Sequence, residues 1–167
     1  ALRWAERRLR RYGERVVYAQ GRHQDLADIA RQHGLSQVQG ILLDLGVSSL
    51  QIDDPERGFS FQTEGPLDMR MGPEVERTAE EIVNSWPEEE LSRIFYEYGE
   101  ERRARRVARA IVARRPLRNT RELAELVAGV VGYAGRIHPA TRTFQALRIA
   151  VNDELASIES VLPQATE

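Results

Sequence analysis

An α/β fold, part parallel sheet and part helix, is what this sequence predicts, and three observations predict it. Two short apolar runs, Val16 to Ala19 and Gly40 to Leu45, flank a helical stretch from Asp25 to Gln32 in strand, helix, strand order. Such a β-α-β unit normally makes a right-handed crossover within a parallel sheet. Beyond Thr78 the apolar spacing turns helical almost to the end. At 167 residues and 41% hydrophobic, the chain can hold one core, or one modest domain and part of another.

The elements follow in order. Leu2, Ala5, Leu9 and Tyr12 recur at helical spacing among arginines, which predicts an amphipathic helix over 2–12 ending near Gly13. The strand of Val16 to Ala19, the helix of Asp25 to Gln32 with Gly34 after it, and the strand of Gly40 to Leu45 come next. In "GILLDLGVSS", residues 40–49, Ile41, Leu42 and Leu43 run into Asp44, as a strand buried on both faces does at its end. From Gln51 to Pro73, prolines and glycines exclude regular structure, while Phe59, Phe61, Leu67, Met69 and Met71 predict an ordered loop. Thr78 and Glu81 fit a capping box, Pro87 and Glu88 open a helix to about Tyr98, and another runs from Glu100 to Arg115 before Pro116. Thr120 is predicted to cap a helix through Val131, and one long helix is expected over 140–162.

Composition removes several classes of function. No apolar run approaches the ~20 residues of a membrane span, and no signal pattern opens the chain, so a soluble cytoplasmic protein is expected. There is no cysteine, and His23, His33 and His138 lie far apart, so no metal site is expected. The net charge of −2 argues against nucleic-acid binding over the whole surface, but the charge is uneven. Every basic residue is an arginine. The chain opens on Ala1 and contains only Met69 and Met71, which reads as a piece of something longer.

Four stretches carry the chemistry. Asp44 ends the second strand, and ligands bind beyond the carboxyl ends of parallel strands; a solvated strand-end carboxylate is an equal reading. Gly46, Ser48, Ser49 and Gln51 follow it and suit a small-molecule or base pocket. In "DDPERGFSFQTEGPLDMRMG", residues 53–72, the simplest reading is a surface loop plugged onto the core by its aromatics. In "YGEERRARRVARAIVARRPLR", residues 98–118, no acid occurs between Arg102 and Arg118, so a phosphate-contacting face is expected with Arg102, Arg103, Arg105, Arg106 and Arg109. In "HPATRTFQALRIAVNDEL", residues 138–155, Arg142, Gln145, Arg148 and Asn152 form a polar stripe that can be exposed or ligand-binding, and His138 reads as a capping or packing histidine.

The segments "GILLDLGVSSLQIDDPERGFSF", "GPLDMRM", "YGEERRARRVARAI" and "HPATRTFQALRIAVNDEL" together resemble the bacterial small-subunit ribosomal RNA (cytosine-N4-)-methyltransferases, the MraW/RsmH family, in the right order from about Arg15 to Leu162. The resemblance implies a partial Rossmann-like domain dependent on S-adenosylmethionine over 1–58, a helical RNA-recognition insertion with its preceding loop over 59–139, and a helix returning to the methyltransferase domain over 140–167. It also implies a cytosine of 16S rRNA as the target and the rRNA or small ribosomal subunit as the partner. Carried residue by residue, Asp44 and Gln51 would contact S-adenosylmethionine, and His23 stands where the family has an aromatic, so an imidazole would meet the adenine. Asp44 or Ser48 would orient the cytosine amino group, whose lone pair is delocalised into the ring. Arg102, Arg105, Arg106, Arg109 and Arg142 would hold RNA.

The family's glycine-rich cofactor loop and ribose-binding acid would precede Ala1, and its "SFHSLEDR"-like motif would follow Glu167. The chain therefore reads as the middle of the enzyme, inactive by itself. A non-catalytic RNA-binding or partner-binding helical module derived from such an enzyme is the alternative.

Overall fold

The structure, a computed structural model, describes residues 2–133 and 135–166. Backbone packing divides the chain into two compact units: one runs up to Asp44 and resumes at Leu155, and the other is Leu45–Glu154.

The first unit holds helix α1 (Leu2–Leu9), a 3-10 turn over Arg10–Arg15, a second over His23–Asp25, and helix α2 (Leu26–Gln32). Gly13, at φ 55, breaks the first turn where the sequence places its helix end. Gln164 ties this unit together, its Oε1 accepting from the Ala27 N–H at 2.9 Å and its Nε2 donating to the Gln24 carbonyl at 2.8 Å.

The expected strands do not form. Among the described residues there is no β-ladder, only an isolated bridge between Pro66 and Asn119 in the other unit. A strand is stabilised by the hydrogen-bonded neighbours on its two edges and by burial of its faces. Residues 16–19 and 40–45 have neither: Leu42 is 93% exposed, and Val17, Ile41 and Leu45 also face solvent.

The second unit carries the core. Helix α3 (Ser49–Ile52) is followed by the ordered loop, then by α4 (Ala79–Ser85), α5 (Glu88–Glu97), α6 (Ala104–Arg114), α7 (Thr120–Val131) and α8 (Thr141–Asn152). Thr78 caps α4, its Oγ1 accepting from the Glu81 N–H as the capping box predicts. At α7 the cap is Asn119, one residue before the expected Thr120. Leu91, Ile94 and Phe95 of α5 pack with Val107 and Ile111 of α6, Leu123 and Val127 of α7, and Phe144 and Leu147 of α8.

The single long final helix is two. Asp153 adopts φ 48, which ends α8 and starts α9 (Glu154–Gln164). Asn and Asp are the residues besides glycine that visit this left-handed region most readily. The Asn152–Asp153 pair is the local signal for the break.

At the end of α5 the chain turns sharply. Glu100 is left-handed at φ 53, and the N–H groups of Glu100 and Glu101 return to the carbonyls of Tyr96 and Phe95 at 3.1 and 2.9 Å. A Cβ on Gly99 would lie 2.4 Å from the Arg142 carbonyl oxygen, so only glycine lets α5 end against α8.

Candidate functional site

The loop of residues 53–72 is built from close backbone approaches. A Cβ on Gly58 would fall 2.0 Å from the Pro66 carbonyl oxygen, and one on Gly65 the same distance from that of Pro55. Thr120 fastens the loop to α7, its N–H donating to the Gly65 carbonyl at 2.9 Å while its Oγ1 accepts from the Gly65 N–H at 3.0 Å. Leu67 and Met69 are fully buried, so apolar anchors other than the two phenylalanines fix the segment.

Two side chains then fix "DMRM". Arg57 donates to the carbonyls of Arg70 and Met71 at 2.6 and 3.0 Å. Asn152 of α8 accepts from the Met71 N–H and donates to the Met69 carbonyl, each at 2.7 Å. These bonds hold Met69 at φ 60, a conformation that non-glycine residues rarely adopt. Asp68 accepts from Arg70 at 2.8 Å, and that hydrogen bond keeps its carboxyl below its ordinary range. Arg57, Asp68, Arg70 and Gly72 line a cavity of about 440 Å³.

The polar stripe of α8 is structural bracing. Arg142 donates to the Glu100 carbonyl at 2.6 Å, Gln145 to the Tyr98 carbonyl at 3.2 Å, and Arg148 pairs with Glu154 at 2.7 Å. His138 accepts the Ala140 N–H on Nδ1 at 3.1 Å just ahead of α8 and lies 4.4 Å from the Phe61 ring, so it packs on the loop.

The arginine face is exposed. Arg103 is tied to the carbonyls of Val130 and Val131 at the end of α7, and Arg109 pairs with Glu88 at 3.4 Å. Arg102, Arg105 and Arg106 enter no ion pair among the described residues. They line a groove of about 850 Å³ between α5 and α6, opposite Ser92 and Tyr96. A second cavity, of about 420 Å³, lies at the head of α8 between Arg102, Glu101, His138 and Arg142. Tyr96 was not among the residues expected at this face. Tyr96 was nonetheless legible, because Leu91, Ile94, Phe95 and Tyr98 fix the inward phase of α5 and leave position 96 pointing outward.

The other expected site residues fall in separate places. Ser48 and Gln51 come together at the start of α3, where Gln51 Oε1 accepts from the Ser48 N–H at 3.0 Å and from its hydroxyl at 3.1 Å. This capping box, serine then glutamine three residues on, is written in the sequence although no helix is expected there. His23 and Asp44 lie in the first unit, both exposed. None of the three cavities described is lined by His23, Asp44, Ser48 or Gln51.

The chain is a two-unit protein with a braced loop and an exposed arginine face. The family model described as MraW methylase family matches residues 1–167, and the chain belongs to that family. Relatives include the ribosomal RNA small subunit methyltransferase H of Dehalococcoides mccartyi, 52% identical over 99% of this chain and 48% of the relative. That of Carboxydothermus hydrogenoformans is 51% identical over 100% of this chain and 55% of the relative, and that of Synechococcus elongatus 51% identical over 100% and 56%. The chain thus spans about half the length of the curated relatives it matches.

Proposed function

We propose that this chain is part of an S-adenosylmethionine-dependent methyltransferase acting on N4 of a cytosine in small-subunit (16S) ribosomal RNA, with the cytoplasmic rRNA or ribosomal subunit as its partner. Family membership along the whole chain carries the reading, and the unpaired arginines of α6 support an RNA substrate. The relatives are methyltransferases by name, which does not favour a non-catalytic module.

In this reading 16–19 and 40–45, which form no ladder in the structure, take up strand form in the Rossmann-like cofactor domain of a protein of the relatives' full length. Their exposed apolar side chains at Val17, Ile41 and Leu42 are what such strands would bury. The donor set suits the cofactor. Asp44 offers a carboxylate to its ammonium or ribose hydroxyls, His23 a flat ring to its adenine, and Gln51 an amide N–H₂, since Ser48 occupies only the amide oxygen. When bound, S-adenosylmethionine supplies an electrophilic methyl group on a sulfonium. Asp44 or Ser48 accepts a hydrogen bond from the cytosine amino group, orienting it and stabilising the positive charge that grows on nitrogen.

The test is transfer of labelled methyl from S-adenosylmethionine to small-subunit rRNA by a protein of the relatives' full length carrying this chain. Transfer is expected, together with a fall of about 10²-fold or more in kcat for Asp44→Asn at saturating cofactor. No transfer by the unsubstituted protein overturns the reading, and unchanged turnover in Asp44→Asn removes that residue from the chemistry. Titration calorimetry of the present chain with S-adenosylmethionine is expected to show no tight binding.

A further inference from the structure

We propose that the groove between α5 and α6, continued past Arg102 to the cavity at the head of α8, is a track for unpaired RNA in which Tyr96 stacks a base while Arg102, Arg105 and Arg106 hold the flanking phosphates. It rests on the rRNA reading above and deepens it by naming the form of RNA this unit grips. Three observations carry it.

The first is continuity. Arg102 and Arg103 line both cavities, so the two adjoin around the start of α6. A strand leaving one meets the other without crossing the core.

The second is charge. Acids stand on the α5 wall, but Arg93 holds Glu90 at 2.8 Å and Glu97 at 3.0 Å, and Arg109 holds Glu88. Glu89 is the one acid of the groove outside these pairs among the described residues. The groove is lined by five arginines against three glutamates, an excess of positive charge that an anionic backbone would neutralise.

The third is Tyr96, 67% exposed and directed into the groove beside those arginines. A phenol ring with both cations and open space around it is a stacking platform for a base that is free of its own pair. In an A-form duplex the bases are stacked on one another and closed to such a ring, so the arrangement selects single strands, loops or bulges.

Fluorescence anisotropy of the present chain with labelled oligocytidylate, and with a duplex of the same length, tests the track. The single strand is expected to bind more tightly than the duplex. Tyr96→Ala is expected to weaken single-strand binding about tenfold, with Tyr96→Phe close to the unsubstituted chain. Arg105→Ala is expected to weaken it too, and to lower the slope of log K against log salt by about 0.7 for each phosphate that the side chain no longer neutralises.

If Arg105→Ala weakens binding while Tyr96→Ala does not, the phosphate face stands and the track falls. Equal affinity for duplex and single strand also overturns the track. No binding of either RNA by the folded chain overturns both the track and this unit's part in the rRNA reading. Because Tyr96 is exposed and outside the core, its removal leaves the fold in place, and far-UV circular dichroism of each variant checks this.

Discussion

At the scale of single residues, the loop and α8 depend on a few polar atoms that have no substitute. Asn152 joins the Met69 carbonyl and the Met71 N–H through one amide. Asn152→Ala deletes both bonds and leaves those backbone groups without partners, an expected loss of about 2–4 kcal/mol on denaturant unfolding. Asn152→Asp keeps the acceptor but loses the donor to Met69, and an intermediate loss is expected. Asp68 gives a pH signature. Its hydrogen bond from Arg70 lowers its pKa below the ordinary 3.8, so it contributes stability that is present above that value and is lost as pH falls through the folded-state pKa. Asp68→Asn should therefore flatten the fall of Tm as pH drops below the ordinary carboxylate value of 3.8, checked by thermal melts on the acid side of it.

At the scale of elements, helices with a local cause were legible and those that needed distant partners were not. Ala104, Val107, Ala108 and Ile111 recur at three- and four-residue spacing on α6 and are all buried, so their spacing alone fixed the inward face. The runs at 16–19 and 40–45 are equally apolar, yet a strand is completed by neighbours that no local pattern can supply. The polar stripe of α8 was ambiguous for a similar reason, since the carbonyls it braces at Tyr98 and Glu100 lie more than forty positions away. Packing and charge each make a prediction at this scale. Gly99→Ala drives a methyl into the Arg142 carbonyl and should cost about 1–3 kcal/mol, or more if α5 and α8 cannot separate. The first turn of α6 has no acid and two arginines at its positive end, an arrangement the helix dipole disfavours. Arg105→Glu should raise Tm modestly while abolishing much of the RNA affinity, a trade between stability and function read by melts and anisotropy together.

At the scale of the whole molecule, the two units differ in how much of their surface is turned inward. Among the described residues, the buried apolar side chains lie in Leu45–Glu154 except for Val161, which belongs to the first unit. Hydrogen exchange should show this directly, with slow amides in α5, α6 and α8 and fast ones over 16–19 and 40–45, where no ladder protects them. Slow exchange over 40–45 would mean a strand does form there in solution. The outward side of Arg105 and Arg106 was legible because one helix carries both and its buried spacing fixes their face, whereas the phase of α5 turned Tyr96 outward without telling which arginines it would meet across the groove. The bond between Asn152 and the "DMRM" loop also sets how this sequence can change in length. Each residue added to or removed from α8 turns its end by ~100°, which would swing Asn152 away from both backbone groups and carry Arg148 away from Glu154. Insertions and deletions between Thr141 and Asn152 should be absent from functional descendants of this chain, whereas the exposed stretch 36–39 is free to lengthen or shorten.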